Sequence, residues 1–243
     1  LSGWIDLYDS ISAETHDARS VPVAHRRIVF METMIELKDV NKTNKQQVIL
    51  DHVSLRIPKG GIYGFVGRNG SGKSMLFKAI CGFISVDSGS IIVDHKRIGE
   101  EIDFPMNMGV IIEKPALIPY MTGMDNLRYL ASIQKKITQD RIAATMQLVG
   151  LDPLSKKKVR AYSLGMKQRL AIAQAMMEEP DILILDEPMN ALDQQAASLV
   201  KDLLKQEKDR NCTILICSHI SGDLEELSDQ LYRIENGAVT REW

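Results

Sequence analysis

Apolar and polar residues alternate along "IELKDV" (35–40) and "VSLRI" (53–57). A period of two puts one strand face on a core and the other in water, so both stretches predict half-buried strands. "GSIIVD" (89–94) belongs to the same class. Other stretches are apolar throughout: "GIYGFV" (61–66), "DILILD" (181–186) and "TILICSH" (213–219). Short apolar runs bounded by turn residues fit strands buried on both faces of a parallel sheet. Between them, Ser74–Cys81, Asp140–Gly150, Gln168–Met177 and Gln194–Lys208 carry helical patterns. Strands alternating with helices predict an α/β fold. No strand pattern occurs from Pro115 to Ala161, which reads as a helical insert.

Residues 1–33 break this regularity. The stretch opens with Leu1, and "SISAETHDARSVP" is polar and without period. It lacks the apolar segment of a secretory signal. A loosely ordered extension is expected here, with Met31 or Met34 a natural start and a domain running over 34–243.

Composition narrows the function classes. The 243 residues are 44% hydrophobic and 26% charged, enough to bury a substantial core. A net charge of −2 lacks the basic surplus of a general nucleic-acid binder, so no nucleic acid is expected as partner. Cys81, Cys212 and Cys217 show no CxxC spacing, which argues against a disulfide framework or zinc site and for a reducing cytoplasm. No apolar run approaches the roughly 20 residues of a membrane helix. Work at a membrane would go through a partner. "KKKVR" (156–160) reads as a solvated loop, and Met106, Met108, Met121 and Met124 as core or interface fillers.

"GRNGSGKS" (67–74) carries the chemistry. It matches G-x-x-x-x-G-K-[ST], follows an apolar strand and opens a helix. Gly67, Gly70 and Gly72 let the backbone, with Arg68, Asn69 and Ser71 between them, fold close around phosphate oxygens. Lys73 would reach the β- and γ-phosphates, and the Ser74 hydroxyl would ligate Mg²⁺. "DILILDEP" delivers Asp186 at a strand's C-terminal end, where α/β sheets bind ligands. Asp186 can hold Mg²⁺, and Glu187 can orient or deprotonate an attacking water. "YSLGMKQRL" (162–170) forms a second turn leading into a helix, a further candidate anion site.

The order GRNGSGKS, YSLGMKQR, LILDEP, ALD and a strand ending in Ser218-His219 resembles the ATP-binding subunits of ABC transporters over residues 34–243. The resemblance implies a P-loop NTPase fold: a RecA-like α/β core with an antiparallel β region and a helical insert. The core would span 34–112 and 173–243, and the insert about 113–172. It implies ATP and Mg²⁺ as cofactors and a homodimer stacked head to tail. In that dimer Ser163 and Gly165 would cap the γ-phosphate held by the partner's phosphate loop. Asp193 matches the loop linking the two sites. His219 matches the switch histidine, which would contact γ-phosphate and hold Glu187 and water. A separately encoded membrane subunit would dock near Glu113 and the 114–130 segment, holding the ATPase at the inner face of the cell membrane.

This chain departs from the family pattern in several places. Leu164 stands where a second signature glycine is usual, and Met166 where Gln is common. The aromatic that would stack on adenine falls by counting on Asn44. Glu113 replaces the Gln that joins core to insert, where it could serve Mg²⁺ or the attacking water. Glu113 together with S-x-G-M resembles the ATP-binding subunits of bacitracin-resistance and lantibiotic-immunity exporters, which implies export of a peptide antibiotic. The same machinery also serves importers and lipid or polysaccharide exporters, and soluble non-transport ATPases.

Overall fold

The computed structural model describes residues 32–45, 47–113, 115–219 and 221–243. The extension expected over 1–33 therefore lies outside the described residues, apart from Glu32 and Thr33. In chain order the strands are β1 (Thr33–Asn44), β2 (Gln47–Pro58), β3 (Gly61–Val66), β4 (Ser88–Val93), β5 (Lys96–Arg97), β6 (Met108–Ile111), β7 (Ile182–Asp186), β8 (Thr213–Ser218), β9 (Gln230–Glu235) and β10 (Ala238–Arg241). The helices are α1 (Lys73–Ile80), α2 (Gly123–Gln134), α3 (Gln139–Leu148), α4 (Leu164–Met176), α5 (Gln194–Asp209) and the short α6 (Ser221–Glu225).

The half-buried strands and the apolar strands sort into different sheets. A four-stranded antiparallel sheet has the order β2-β1-β4-β5. A six-stranded sheet has the order β10-β9-β3-β8-β7-β6 and is parallel from β9 to β6. In β1, Ile35 and Leu37 are buried, and Val40 rejoins them three positions on. The register shift between Leu37 and Val40 makes this possible. Asp39 (φ 49°) and His52 (φ 48°) face each other there in left-handed conformation, their side chains 2.6 Å apart. The extra residue of such a bulge restores the inward phase that strict alternation would lose.

The parallel sheet is buried on both faces, as its continuous apolar runs require. Ile62, Leu183, Leu185, Ile214 and Ile216 face a core built with α2 to α5. Their neighbours Tyr63, Phe65, Ile182, Ile184, Leu215 and Cys217 face the other core, which takes in α1 and the antiparallel sheet. Phe65 stacks on Tyr232 at 5.1 Å and meets Phe77 edge-on at 5.4 Å. Cys81, Cys212 and Cys217 are all free and buried.

Several elements were absent from the hydrophobic pattern. β6 is a four-residue strand, short enough to vanish beside its polar neighbours. Gly109 within it is required: a Cβ there would stand 2.0 Å from the Ala175 carbonyl of α4. β10 is the edge strand and β9 lies beside it, and Arg233, Glu235 and Arg241 interrupt the apolar run of the pair. α2 lies inside the stretch expected to be helical, with Thr122 Oγ1 capping it by accepting from Asp125 N. α4 starts four residues before the helical pattern does, because Ser163 caps it.

Candidate functional site

The phosphate loop leaves the C-terminal end of β3. Its Ser71 N–H donates to Arg68 O, closing the turn at 3.1 Å. Gly72 adopts φ 109°, and a Cβ there would meet Ile49 O at 2.7 Å, so glycine is needed on both counts. Gly72 caps α1 without a side-chain bond. The first N–H groups of the helix are left for a ligand, which makes the turn an anion site. Lys73 is buried, and its ammonium donates to Gly67 O (2.7 Å) and Arg68 O (3.1 Å). Those bonds hold the charge over the loop.

Asp186 ends β7 beneath this loop. Ser74 Oγ donates to its Oδ2 at 2.5 Å. From the neighbouring strand β8, the Cys217 thiol donates to Oδ1 at 2.7 Å. Burial pushes the Cys217 thiol well above its ordinary pKa, and the Asp186 charge adds to this. Glu187 follows at φ 51°, with its N–H on Cys217 O at 3.0 Å. Its Oε2 pairs with His219 Nδ1 at 2.8 Å. Glu113, at φ 61°, pairs through Oε1 with Lys78 Nζ on α1 at 2.5 Å.

An open cavity of about 690 Å³ covers these groups. Asn69, Gly70, Gly72, Lys73 and Ser74 line it from the loop, and Glu113, Asp186 and Glu187 from the strands' ends. Gly67, Arg68 and Ser71 belong to the loop but not to the lining, and His219 joins through Glu187. Asn44 is exposed at the end of β1 and does not line the cavity; Gln47 and Ile49 across the same hairpin do.

The second anion turn stands apart from these loop contacts. Ser163 Oγ accepts from Met166 N at 3.2 Å, capping its own helix α4. Asp193 Oδ1 accepts from Ala196 N at 2.8 Å, capping α5. Gly165 sits against Ala191 O, 2.9 Å from where a Cβ would lie. None of Ser163, Gly165 and Asp193 lines the cavity, whereas Leu164, Gln168 and Ala191 do. Leu164 is 70% exposed.

The floor suits a hard divalent cation with phosphate. Among the described residues no cluster of three or more His, Cys, Asp or Glu side chains could cage a metal. A hydroxyl and a carboxylate converge beside an anion turn instead. Magnesium is bound in that manner, through one or two protein oxygens plus substrate phosphates and water. Sequence reasoning missed Cys217 and Lys78. No local signal marked Cys217, which reads as an apolar residue of the strand β8.

A second cavity, of about 330 Å³, opens between β6, α2 and α4. Leu130, Ile133 and Phe83 line it, together with Gln174, whose Oε1 is buried without a hydrogen-bond partner among the described residues. Phe83, Phe104, Met106, Tyr129 and Ile133 are large apolar side chains left exposed.

The family described as ABC transporter matches residues 50–190. The uncharacterized ABC transporter ATP-binding protein YybJ of Bacillus subtilis is 43% identical over 206 residues, 85% of this chain and 94% of its own. The bacitracin transport ATP-binding protein BcrA of Bacillus licheniformis is 36% identical, over 87% of this chain and 70% of its own. The lantibiotic transport ATP-binding protein SrtF of Streptococcus pyogenes is 34% identical, over 86% and 90%. In fold, the chain matches the ATP-binding cassette MJ0796, solved as a dimer in a post-hydrolysis state with ADP and Pi, at TM-score 0.78 and 23% identity over 86% of this chain and 98% of that one. The ATP-binding subunit of another ABC transporter matches at TM-score 0.77 and 27% identity, over 86% and 89%. The chain belongs to the ABC transporter family, as one of its ATP-binding subunits.

Proposed function

We propose that this subunit hydrolyses Mg·ATP as a head-to-tail homodimer and powers a separately encoded membrane subunit that exports a peptide antibiotic of the bacitracin or lantibiotic kind. The observation that carries the ATPase reading is the convergence of Ser74, Asp186, Glu187 and His219 beneath one phosphate loop. Lys73 and the free N–H groups of α1 bind the phosphates. Ser74 and Asp186 hold the cation, which would neutralise charge on the phosphate oxygens. Glu187 positions and deprotonates water, and His219 fixes the rotamer of Glu187. Glu113 lines the same cavity, where its carboxylate would serve the same water or cation.

The dimer reading is supported by the signature turn. Ser163 and Gly165 do not line their own chain's cavity, yet Ser163 opens a helix N-terminus of the kind that attracts anions. A second copy offers the missing phosphate. Leu164, exposed beside that turn, would then be covered by the partner. Asp193 would link the two sites from the start of α5.

The division into a core over 34–112 and 173–243 and an insert over 113–172 is supported by the strands. β6 ends at Ile111 and β7 begins at Ile182, with α2 and α3 between them. α4 straddles the proposed boundary. The apolar groove between β6 and α2 suits a helix or loop of the membrane subunit, since exposed apolar patches of this kind mark interaction sites. No helix among the described residues is long and apolar enough to cross a membrane, so the subunit would sit on the inner face of the cell membrane through that partner. The names of BcrA and SrtF, together with Glu113 and the S-x-G-M signature, support peptide-antibiotic export.

The test pairs two measurements. Purified subunit should hydrolyse ATP only with Mg²⁺ and with a steeper than linear dependence on subunit concentration. Deleting the transporter from cells should raise sensitivity to at least one bacitracin- or lantibiotic-type peptide. Mg²⁺-independent hydrolysis would sink the site reading, and unchanged sensitivity to every such peptide would sink the export reading.

A further inference from the structure

We propose that Cys217 is a positioning residue for the cation site: its thiol sets which oxygen of Asp186 faces the metal. The inference rests on the proposed role of Asp186. An ionised carboxylate offers two acceptor oxygens, and the partner on each decides which way it turns. Here Ser74 Oγ occupies Oδ2 at 2.5 Å, and Cys217 Sγ occupies Oδ1 at 2.7 Å. The Ser74 contact lies on the cavity side, because both residues line the cavity. The Cys217 contact lies behind it, since that side chain is fully buried and lines no part of the cavity.

Strand register makes the contact. Asp186 and Cys217 are direct partners across the parallel pair β7 and β8. The Cys217 carbonyl also accepts the Glu187 N–H at 3.0 Å, where the chain turns to positive φ. One residue of β8 therefore holds the side chain of the first acid and the backbone of the second. Were the Ser74 oxygen to ligate a cation, its bond to Oδ2 would open, and the thiol would be the partner left to orient the carboxylate. A thiol is a weak donor. It therefore fixes direction while leaving Oδ2 basic enough to ligate. Groups that orient a metal ligand from behind control affinity as well as geometry.

The experiment measures binding of a fluorescent ATP analogue to the full chain as Mg²⁺ is titrated, beside binding without Mg²⁺. Cys217→Val and Cys217→Ala should each raise the Mg²⁺ concentration for half-saturation about tenfold, as loss of an outer-shell partner does. Both should leave Mg²⁺-free binding at the wild-type level. Cys217→Ser keeps a donor in place and should restore the wild-type Mg²⁺ dependence. Asp186→Ala is the control. If it shifts the Mg²⁺ dependence while both apolar variants at 217 match wild type, the positioning role is overturned and the cation site stands. If Asp186→Ala shifts nothing, the cation reading fails and this inference with it. Cys217→Ala removes the thiol without adding bulk to the core, so should Cys217→Val not fold, the alanine variant decides alone.

Discussion

Lys78 Nζ lies 2.5 Å from Glu113 Oε1, tying the last turn of the phosphate-loop helix to the loop that leaves β6. The Glu113 side chain is 65% exposed, so the pair is solvent-screened and contributes at most about 1 kcal/mol. A weak tie of this kind can open when nucleotide arrives and close when it leaves. It also offsets the negative charge that a Glu would otherwise bring toward the phosphates. Glu113→Gln is expected to keep substantial ATPase activity in the isolated subunit, because an amide oxygen can still ligate or accept. Glu113→Ala is expected to impair antibiotic resistance in cells more than ATP binding in solution. Paired affinity, turnover and resistance assays check both. If Glu113→Ala changes neither resistance nor hydrolysis, the residue is only a structural link.

Glu187→Gln keeps the shape of the side chain and removes its basicity. ATP binding should persist while turnover falls by about 100-fold or more, the range for losing a general base. Steady-state phosphate release from the purified variant decides it, and near wild-type release would move the base elsewhere.

Among the described residues, the wall of the cavity on the β1–β2 hairpin has no aromatic side chain: Gln47 and Ile49 form it, and Asn44 stands exposed at the hairpin's end. Asn44→Tyr should tighten ATP binding by up to ~1–3 kcal/mol, the worth of one base–aromatic stack. An unchanged dissociation constant would mean that position 44 cannot reach the base and that Gln47 and Ile49 carry the contact.

Ile133 is 69% exposed at the groove beside α2. Ile133→Asp should leave folding stability within about 0.5 kcal/mol, as exposed substitutions do. It should prevent co-purification with the membrane subunit. Intact co-purification would place the docking surface elsewhere.

Asp87 is held down to a pKa of about 2, first by the hydrogen bond from Lys42 and then by those from the Thr43 hydroxyl and N–H. Its folded pKa lies below the unfolded value of roughly 3.9. The stabilisation is therefore present above the unfolded value and is lost as pH falls toward 2. Asp87→Asn should make the melting temperature less sensitive to pH across that acid window. An identical acid limb in wild type and variant would show that the contact does not count in solution.

The hydrophobic pattern was sufficient for fold class and for the strands that carry the chemistry. β3, β7 and β8 are buried on both faces, so nothing polar interrupts them, and the phosphate loop and Asp186-Glu187 sit at their ends for that reason. The motif spacing likewise determined which loops could bind phosphate, because glycine and lysine are needed there whatever surrounds them. The strands β9 and β10 were not legible because charged residues blur their period, and β6 because it is only four residues long. Nor could local sequence reveal pairs made across strands. Cys217 reads as one more apolar residue of a core strand until β7 and β8 are placed in register and its thiol meets Asp186. Lys78 reads as a solvated helix end until the loop after β6 brings Glu113 to it. Contacts between residues 31 and 35 positions apart depend on strand order and register. Only packing of the whole chain selects those, because each arises from many side chains sharing one core.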